Sequence, residues 1–324
     1  MLLLLGASGY VGHAFAHELL RRGCAFIPLT RKAIDYTNFN VLFDCIRKMR
    51  PEFLINAAGF TGAPDEGACE LVRGKTLAAN TLLPQTIARA CLMTNTPWGH
   101  VSSGNIYSGA KIVENGRLRI EHNLHRADVR RLLAEHPDQI FGFTERDEPN
   151  FSFRCIRCSF YSGTKALAEE VIREMGQSYI WRPGIAFDGH EMPRNDLWRI
   201  QRSVELCDNL NSFSHVEDFV RACLSLWEQQ APFGTYNVAN TGAITTQQVV
   251  RMIQQILKPD RGFEFRNELE QGRPSGARTP HSHSVLDVTK LVAAGVGMRP
   301  VEEALEDALR NWQRSNRPAE SVFH

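Results

Sequence analysis

Tyr161-Ser-Gly-Thr-Lys165 sets a phenol and an ammonium at positions i and i+4, where a helix-like run begins. On a helix both side chains project from one face. A free phenol ionises near a pKa of about 10, too high for proton exchange at neutral pH. A positive charge one turn away favours the phenolate and lowers that value. Upstream, Trp98–Ser102 reads as a buried strand, and Ser103 ends it with a hydroxyl before Gly104-Asn105-Ile-Tyr107. A hydroxyl at a strand end can hold a carbonyl oxygen beside the phenol. Ser103, Tyr161 and Lys165 are therefore equipped to move a proton at a carbonyl oxygen, and the reaction becomes redox chemistry once a hydride carrier is added.

The first residues provide for that carrier. After the leucine-rich Met1–Leu5 comes Gly6-Ala-Ser-Gly9-Tyr-Val-Gly12, and then a helical pattern. Gly6 permits a tight turn, Gly9 lets backbone approach a pyrophosphate, and Gly12 lets the helix pack close to the strand. The leading N–H groups of that helix face the phosphates. Gly6, Ser8, Gly9, Tyr10, Val11 and Gly12 are thus candidate cofactor contacts. The second strand should end in an acid if it is to hold a free ribose 2′-hydroxyl. Here it ends Thr30-Arg31-Lys32, and Asp35 comes late. Cations at that point suit a 2′-phosphate, so NADP(H) is favoured over NAD(H), with Thr30 and Arg31 at the adenosine end.

The elements that must position these groups alternate. Met1–Leu5, Cys24–Thr30, Phe53–Ala57 and Trp98–Ser102 read as buried parallel strands, separated by helical patterns at Tyr10–Arg22, Phe39–Arg50 and Leu77–Met93. Two further strands follow at Tyr179–Arg182 and Thr235–Val238, and helices at His215–Gln229, Thr245–Leu257 and Val301–Arg314. The expected fold class is α/β: a Rossmann-type doubly wound parallel sheet with a smaller, mixed C-terminal substrate domain. Residues 1–184 would form the dinucleotide-binding domain, with 210–245 returning to it, and 185–324 the substrate domain. Residues 108–158 break the rhythm and read as a solvated insertion, with a polar surface helix over His125–His136.

The chain has 324 residues, 43% apolar, with a formal charge of +1. That composition fills a core and gives no basic surface for nucleic acid. No apolar run approaches the roughly 18 residues of a membrane span, and Met1–Leu5 lacks the basic flank of a secretion signal. A cytoplasmic protein is expected. The eight cysteines are scattered, and reduced thiols are expected. Cys155-Ile-Arg-Cys158 has metal or redox spacing but no second pair, so no metal site is assigned. Arg194 carries a fork suited to a pyrophosphate. His190, in a loop after Phe187-Asp-Gly189, is a candidate substrate contact. His215 and Asp218 read as residues that fix a helix start, and Ser102 as a packing neighbour of Ser103.

These motifs, with Asn56-Ala-Ala-Gly59, Asn80, Arg182-Pro183 and His215-Val-Glu-Asp218, resemble the extended short-chain dehydrogenase/reductases that act on nucleotide sugars. Within that superfamily the chain looks most like dTDP-4-dehydrorhamnose reductase and the UDP-4-keto-6-deoxyglucose 3,5-epimerase/4-reductases. Asn56–Gly62, Glu145–Asn150, Pro193-Arg-Asn195, Tyr236-Asn-Val238 and Leu286–Lys290 carry that likeness. The resemblance implies reduction of a nucleotide-linked 4-keto-6-deoxy sugar, with Tyr161 as general acid, Lys165 lowering its pKa and Ser103 orienting the carbonyl. It implies that the turn Asn56, Ala57, Ala58, Gly59 passes under the cofactor and that Asn80 lies near its ribose. Thr61, Ser103, Asn105, Arg182, His190 and Arg194 are the candidate substrate residues. It also implies a homodimer, built on Leu77–Met93 and Tyr161–Met175. Asn105 departs from the pattern: the epimerase-reductases carry a cysteine there to shuttle a proton, and a neutral amide cannot. The alternatives on the same scaffold are an epimerase or 4,6-dehydratase with retained NAD(P), or a non-catalytic NADPH-binding regulator. The dehydratases place an acid near Ser103, which Gly104-Asn105 does not supply.

Overall fold

Six short strands form one parallel sheet: β1 (Leu2–Leu5), β2 (Phe26–Leu29), β3 (Phe53–Asn56), β4 (Trp98–Val101), β5 (Ser178–Pro183) and β6 (Gly234–Val238). Their spatial order is 6-5-4-3-1-2, and every pairing is parallel. The computed structural model describes residues 1–62, 67–114, 116–124, 126–155, 158–266 and 282–313.

Successive side chains of a strand face opposite ways, and the leucines of β1 serve both faces. Leu2 and Leu4 join Phe15, Phe53, Trp181 and Phe219 under α1 (Tyr10–Arg21) and, from the last third of the chain, Val216–Glu228. Leu3 and Leu5 join Leu42, Ile46, Ile87 and Ile172 under α2 (Phe39–Met49), α3 (Leu83–Thr94) and α4 (Phe160–Ile172). A sheet covered by helices on both faces needs such continuous apolar strands, and the doubly wound α/β fold expected from the sequence is the one observed.

β2 lies on one side of β1 and β3 on the other. The loops leaving β1 and β3 therefore part in opposite directions and open a crevice at the carboxyl ends of these strands, the place where α/β sheets take their ligands.

Three local expectations need correction. The second strand is shorter than Cys24–Thr30. Gly23 adopts φ +66° and, with Cys24, closes the end of α1 by donating to Leu20 and Leu19 carbonyls. The helix expected over Leu77–Met93 is three pieces: Arg73–Leu77, a π-helical turn at Ala78–Leu82, and α3. Pro84 has no N–H to give the Asn80 carbonyl, so the α-helical ladder cannot continue through this point. The insertion is not a solvated appendage. Its helix, Ala127–Glu135, accompanies a three-stranded antiparallel sheet in which Ala110–Glu114 is flanked by Arg117–Glu121 and Ile140–Phe141. Phe143 stacks on Tyr107 at 4.6 Å, and its backbone pairs with Val285 and Asp287. His125 and Arg314, the expected ends of two helices, lie outside the described residues.

A separate apolar cluster unites Phe187, Phe213, Val249, Ile253, Val301 and Leu305. It packs the helix Thr246–Ile256, opened by a Thr245/Gln248 capping box, against Val301–Arg310. No helix among the described residues is long and apolar enough to cross a membrane.

Candidate active site

The glycine turn sits at the crevice between β1 and β3. Gly6 has φ +78°, and a methyl group built on it would lie 2.5 Å from the Ala58 nitrogen. One on Gly12 would lie 2.0 Å from the Gly6 carbonyl oxygen. Both positions exclude any side chain. Gly9 caps α1 with no side-chain hydrogen bond, and the first turn of α1 holds no acid. Its own first turn therefore supplies no anion to its leading N–H groups or to the positive helix end. This cradle fits the pyrophosphate of a dinucleotide. Ser8 is exposed, Val11 packs against the core, and the Tyr10 hydroxyl is buried beside Asp188. Burial and the Asp188 charge hold the Tyr10 phenol well above its usual pKa.

At the end of β2, Thr30 and Arg31 are exposed. The late acid, Asp35, accepts from the Thr37 amide at 3.1 Å and the Thr37 hydroxyl at 2.5 Å. Its carboxylate is thereby used within its own turn.

The turn after β3 is built from inside. Asn56 is fully buried; its side-chain Oδ1 accepts from the Ala58 N–H at 3.1 Å, and its Nδ2 donates to His100 Nδ1 at 3.0 Å. Burial, and then the Lys165 charge, push the His100 pKa well down, so the ring is a neutral acceptor. Asn80 is also fully buried: it accepts from the Phe60 N–H at 2.8 Å and donates to the Phe60 carbonyl at 2.9 Å. The side chains of Asn56 and Asn80 hold the Ala57–Phe60 backbone in place, and the π-turn brings Asn80 to it. His100 was not singled out from the sequence, where one histidine in an apolar strand gives no signal.

α4 carries the phenol and the ammonium. Ser159 caps it, accepting from Ser162 N–H at 3.0 Å, and Glu70 accepts from Phe160 N–H at 2.6 Å. Tyr161 is half-buried in the first turn. Lys165 is 4% exposed, and its Nζ donates to the Val101 carbonyl at 2.9 Å, two residues before Ser103. A methyl group built on Gly59 would stand 3.6 Å from the same Nζ. The ammonium thus joins the end of β4, the turn after β3 and the start of α4. Burial pulls its pKa down to about 8, with the Glu169 charge pushing back. Ser103 is 6% exposed; its oxygen accepts from the Asn105 N–H at 3.1 Å, which leaves its own proton for donation. Asn105 is half-buried beside it.

Beneath this lies a network that the sequence reading missed. Glu169 follows Lys165 by four residues, so the helical repeat 161, 165, 169 was its signal. Glu169 and Arg182 are each 1% exposed and pair at 2.6 Å. The second guanidinium nitrogen of Arg182 donates to the Tyr107 hydroxyl at 2.9 Å, and that hydroxyl donates to the Asp147 carbonyl at 2.7 Å. Burial pushes the Tyr107 phenol up to about 12. Ser102 donates to Glu169 as well. Arg182 therefore departs from the expected substrate contact: it is 1% exposed, and each of its three nitrogens donates to a buried partner, Glu169 or Tyr107. Ser102 is likewise more than a packing residue.

The loop after β5 lies near the glycine turn. His190 is exposed, its ring 3.5 Å from Asp188, which raises its pKa. Arg194 reaches the glycine turn: a methyl group on Gly9 would lie 3.8 Å from its guanidinium. Thr61 is exposed at the end of the turn after β3. Asp218 pairs with Arg299 at 2.7 Å, locking the start of the helix Val216–Glu228. Cys155 and Cys158 are half-buried free thiols.

A glycine turn at the switch point of a parallel sheet, with a Tyr-x-x-x-Lys helix start locked against the adjacent strand end, defines the Rossmann-type fold shared by nucleotide-dependent reductases and epimerases. Comparison with known proteins narrows this. The family model described as RmlD substrate binding domain matches residues 1–124. Over 94% of its length the chain is 26% identical to the trifunctional UDP-glucose 4,6-dehydratase/UDP-4-keto-6-deoxy-D-glucose 3,5-epimerase/UDP-4-keto-L-rhamnose-reductase of Arabidopsis thaliana, of which it spans only 41%. Among solved structures, a UDP-rhamnose synthase of Acanthamoeba polyphaga mimivirus matches with a TM-score of 0.78 at 17% identity, covering 96% of this chain and 98% of the other. A dTDP-4-dehydrorhamnose reductase of Bacillus anthracis, solved with NADP, matches with a TM-score of 0.71 at 18% identity over 96% and 97% of the two chains. These structures establish the fold, and the resemblance read from the motifs is borne out.

Proposed function

We propose that this chain is an NADP(H)-dependent reductase acting on the 4-keto group of a nucleotide-linked 6-deoxy sugar. The observation that carries this reading is the buried Lys165 ammonium, bonded to the end of β4 between the Ser103 strand and the turn beside the glycine cradle. Relatives along 94% of the chain are named for this chemistry, and one structural neighbour holds NADP.

The Gly6–Gly12 turn and the start of α1 would hold the pyrophosphate, and Thr30 and Arg31 the 2′-phosphate. The bound cofactor supplies the hydride. Ser103 donates a hydrogen bond to the sugar carbonyl oxygen, keeping its proton, and orients it. Tyr161 gives up its phenolic proton as negative charge grows on that oxygen, and the Lys165 charge stabilises the phenolate left behind. Residues 1–184 with 210–245 would bind the cofactor and the remainder the sugar nucleotide. Exposed Leu92 and Met93 on α3 support the homodimer.

Reduction requires Lys165 charged. As pH rises through about 8 the ammonium is lost, so kcat/KM for reduction should fall there. Lys165→Arg stays protonated and should move this fall upward. A pH profile unchanged by Lys165→Arg contradicts the role given to Lys165.

The assay that tests the function supplies NADPH with dTDP- or UDP-linked 4-keto-6-deoxy sugar. The expected result is one oxidised cofactor released per sugar reduced at C4. Sugar conversion with cofactor retained and unchanged would assign an epimerase or dehydratase instead.

A further inference from the structure

We propose that Arg194 clamps the cofactor pyrophosphate from above, opposite the helix end, rather than the pyrophosphate of the sugar nucleotide. The inference rests on the cofactor reading above and concerns the second, protein-spanning half of that site. Gly9 separates the first turn of α1 from the Arg194 guanidinium by the space of one small group, since a methyl group there would stand 3.8 Å from its nitrogen. An anion over Gly9 would meet helix N–H groups on one side and a planar cationic fork on the other.

The loop that carries Arg194 is built to hold it there. Neighbouring Asn195 is fully buried; it donates to the Asp188 carbonyl at 2.8 Å and the His190 carbonyl at 2.7 Å, and accepts from Leu197 N–H at 3.0 Å. The loop touches the nucleotide end a second time, where Asp188 lies beside the buried Tyr10 hydroxyl. The nearby acids are occupied: Asp188 accepts from Asn195 and from His190 N–H, both at 2.8 Å, and Asp196 pairs with Arg199 at 2.9 Å. Arg194 itself is exposed and makes no hydrogen bond or ion pair among the described residues. Its charge is thus left for an anion that the fold does not supply. The segment after β5 then contributes to the cofactor, and cofactor binding ties it to the glycine turn.

The test is equilibrium binding of NADPH, NADH and ADP-ribose, and separately of UDP and dTDP, to wild type, Arg194→Ala and Arg194→Lys. Loss of a charge-assisted bidentate contact should weaken Arg194→Ala for all three dinucleotide-type ligands by roughly tenfold or more. Arg194→Lys should fall between, and UDP and dTDP should bind unchanged. The melting temperature of the unliganded variants should equal wild type, because the side chain has no protein partner to lose. Unchanged NADPH affinity in Arg194→Ala, or a loss seen for UDP and dTDP instead, overturns the clamp. Wild-type protein that binds neither NADPH nor NADH overturns the clamp together with the cofactor reading beneath it.

Discussion

Tyr161→Phe should lower kcat for sugar reduction by about 10²–10⁴-fold while NADPH affinity stays within a factor of a few. The substitution deletes one oxygen and keeps the ring, so the half-buried first turn of α4 keeps its packing. What disappears is the proposed proton source. Ser103 cannot replace it: an aliphatic hydroxyl is far less acidic than a phenol, and among the described residues no charged side chain is bonded to it to stabilise its anion. Lys165 cannot replace it either, because its Nζ is tied to the Val101 carbonyl and 4% exposed. The loss should fall on kcat, since the proton moves only as charge develops in the transition state. Steady-state kinetics with paired cofactor titrations separate the two effects. An equal loss in NADPH affinity would mean that Tyr161 is a binding residue.

Glu169→Gln should destabilise the fold by about 3–5 kcal/mol, because it leaves the buried Arg182 guanidinium without its counter-charge. The sites lie in one network with Ser102 and Tyr107, so the effects will not add. The double variant Glu169→Gln/Arg182→Met, which removes both charges, should lose less than the sum of the single variants. Urea unfolding at constant slope reads this directly. There is a second consequence. The Glu169 charge opposes the burial that lowers the Lys165 pKa. Without it the ammonium is lost at lower pH, and the alkaline fall in activity should move down with it. A loss under about 1 kcal/mol would show that Glu169 and Arg182 are solvated in the working protein.

The nucleotide end was legible in the sequence because its constraints are local. Gly6 and Gly12 sit where a side chain would strike neighbouring backbone, and no other residue type fits. The strands of the central sheet were legible because continuous apolar runs flanked by amphipathic ones have few alternatives. What escaped depended on partners distant in the chain. Arg182 was read as a substrate residue from the resemblance; its partner is Glu169, on a helix read only for Tyr161 and Lys165. The charge of the insertion suggested solvent, yet Phe143 and Tyr107 draw it onto the body of the protein. The π-turn at Ala78–Leu82 had a local cause in Pro84, but apolar periodicity alone ran through it. Arg194 was read as a pyrophosphate contact with no place given for it; the fold sets its guanidinium beside Gly9 of the glycine turn.

The central claim is that Tyr161 protonates a sugar carbonyl while a nicotinamide held by the glycine turn reduces it. A single-turnover experiment tests it most directly: protein loaded with NADPH is mixed with excess nucleotide-linked 4-keto-6-deoxy sugar, and loss of the reduced nicotinamide absorbance is followed for wild type and Tyr161→Phe. The account predicts complete, rapid oxidation by wild type and a decay at least about a hundredfold slower in the variant. Equal rates for the two proteins, or no oxidation by wild type, would contradict it.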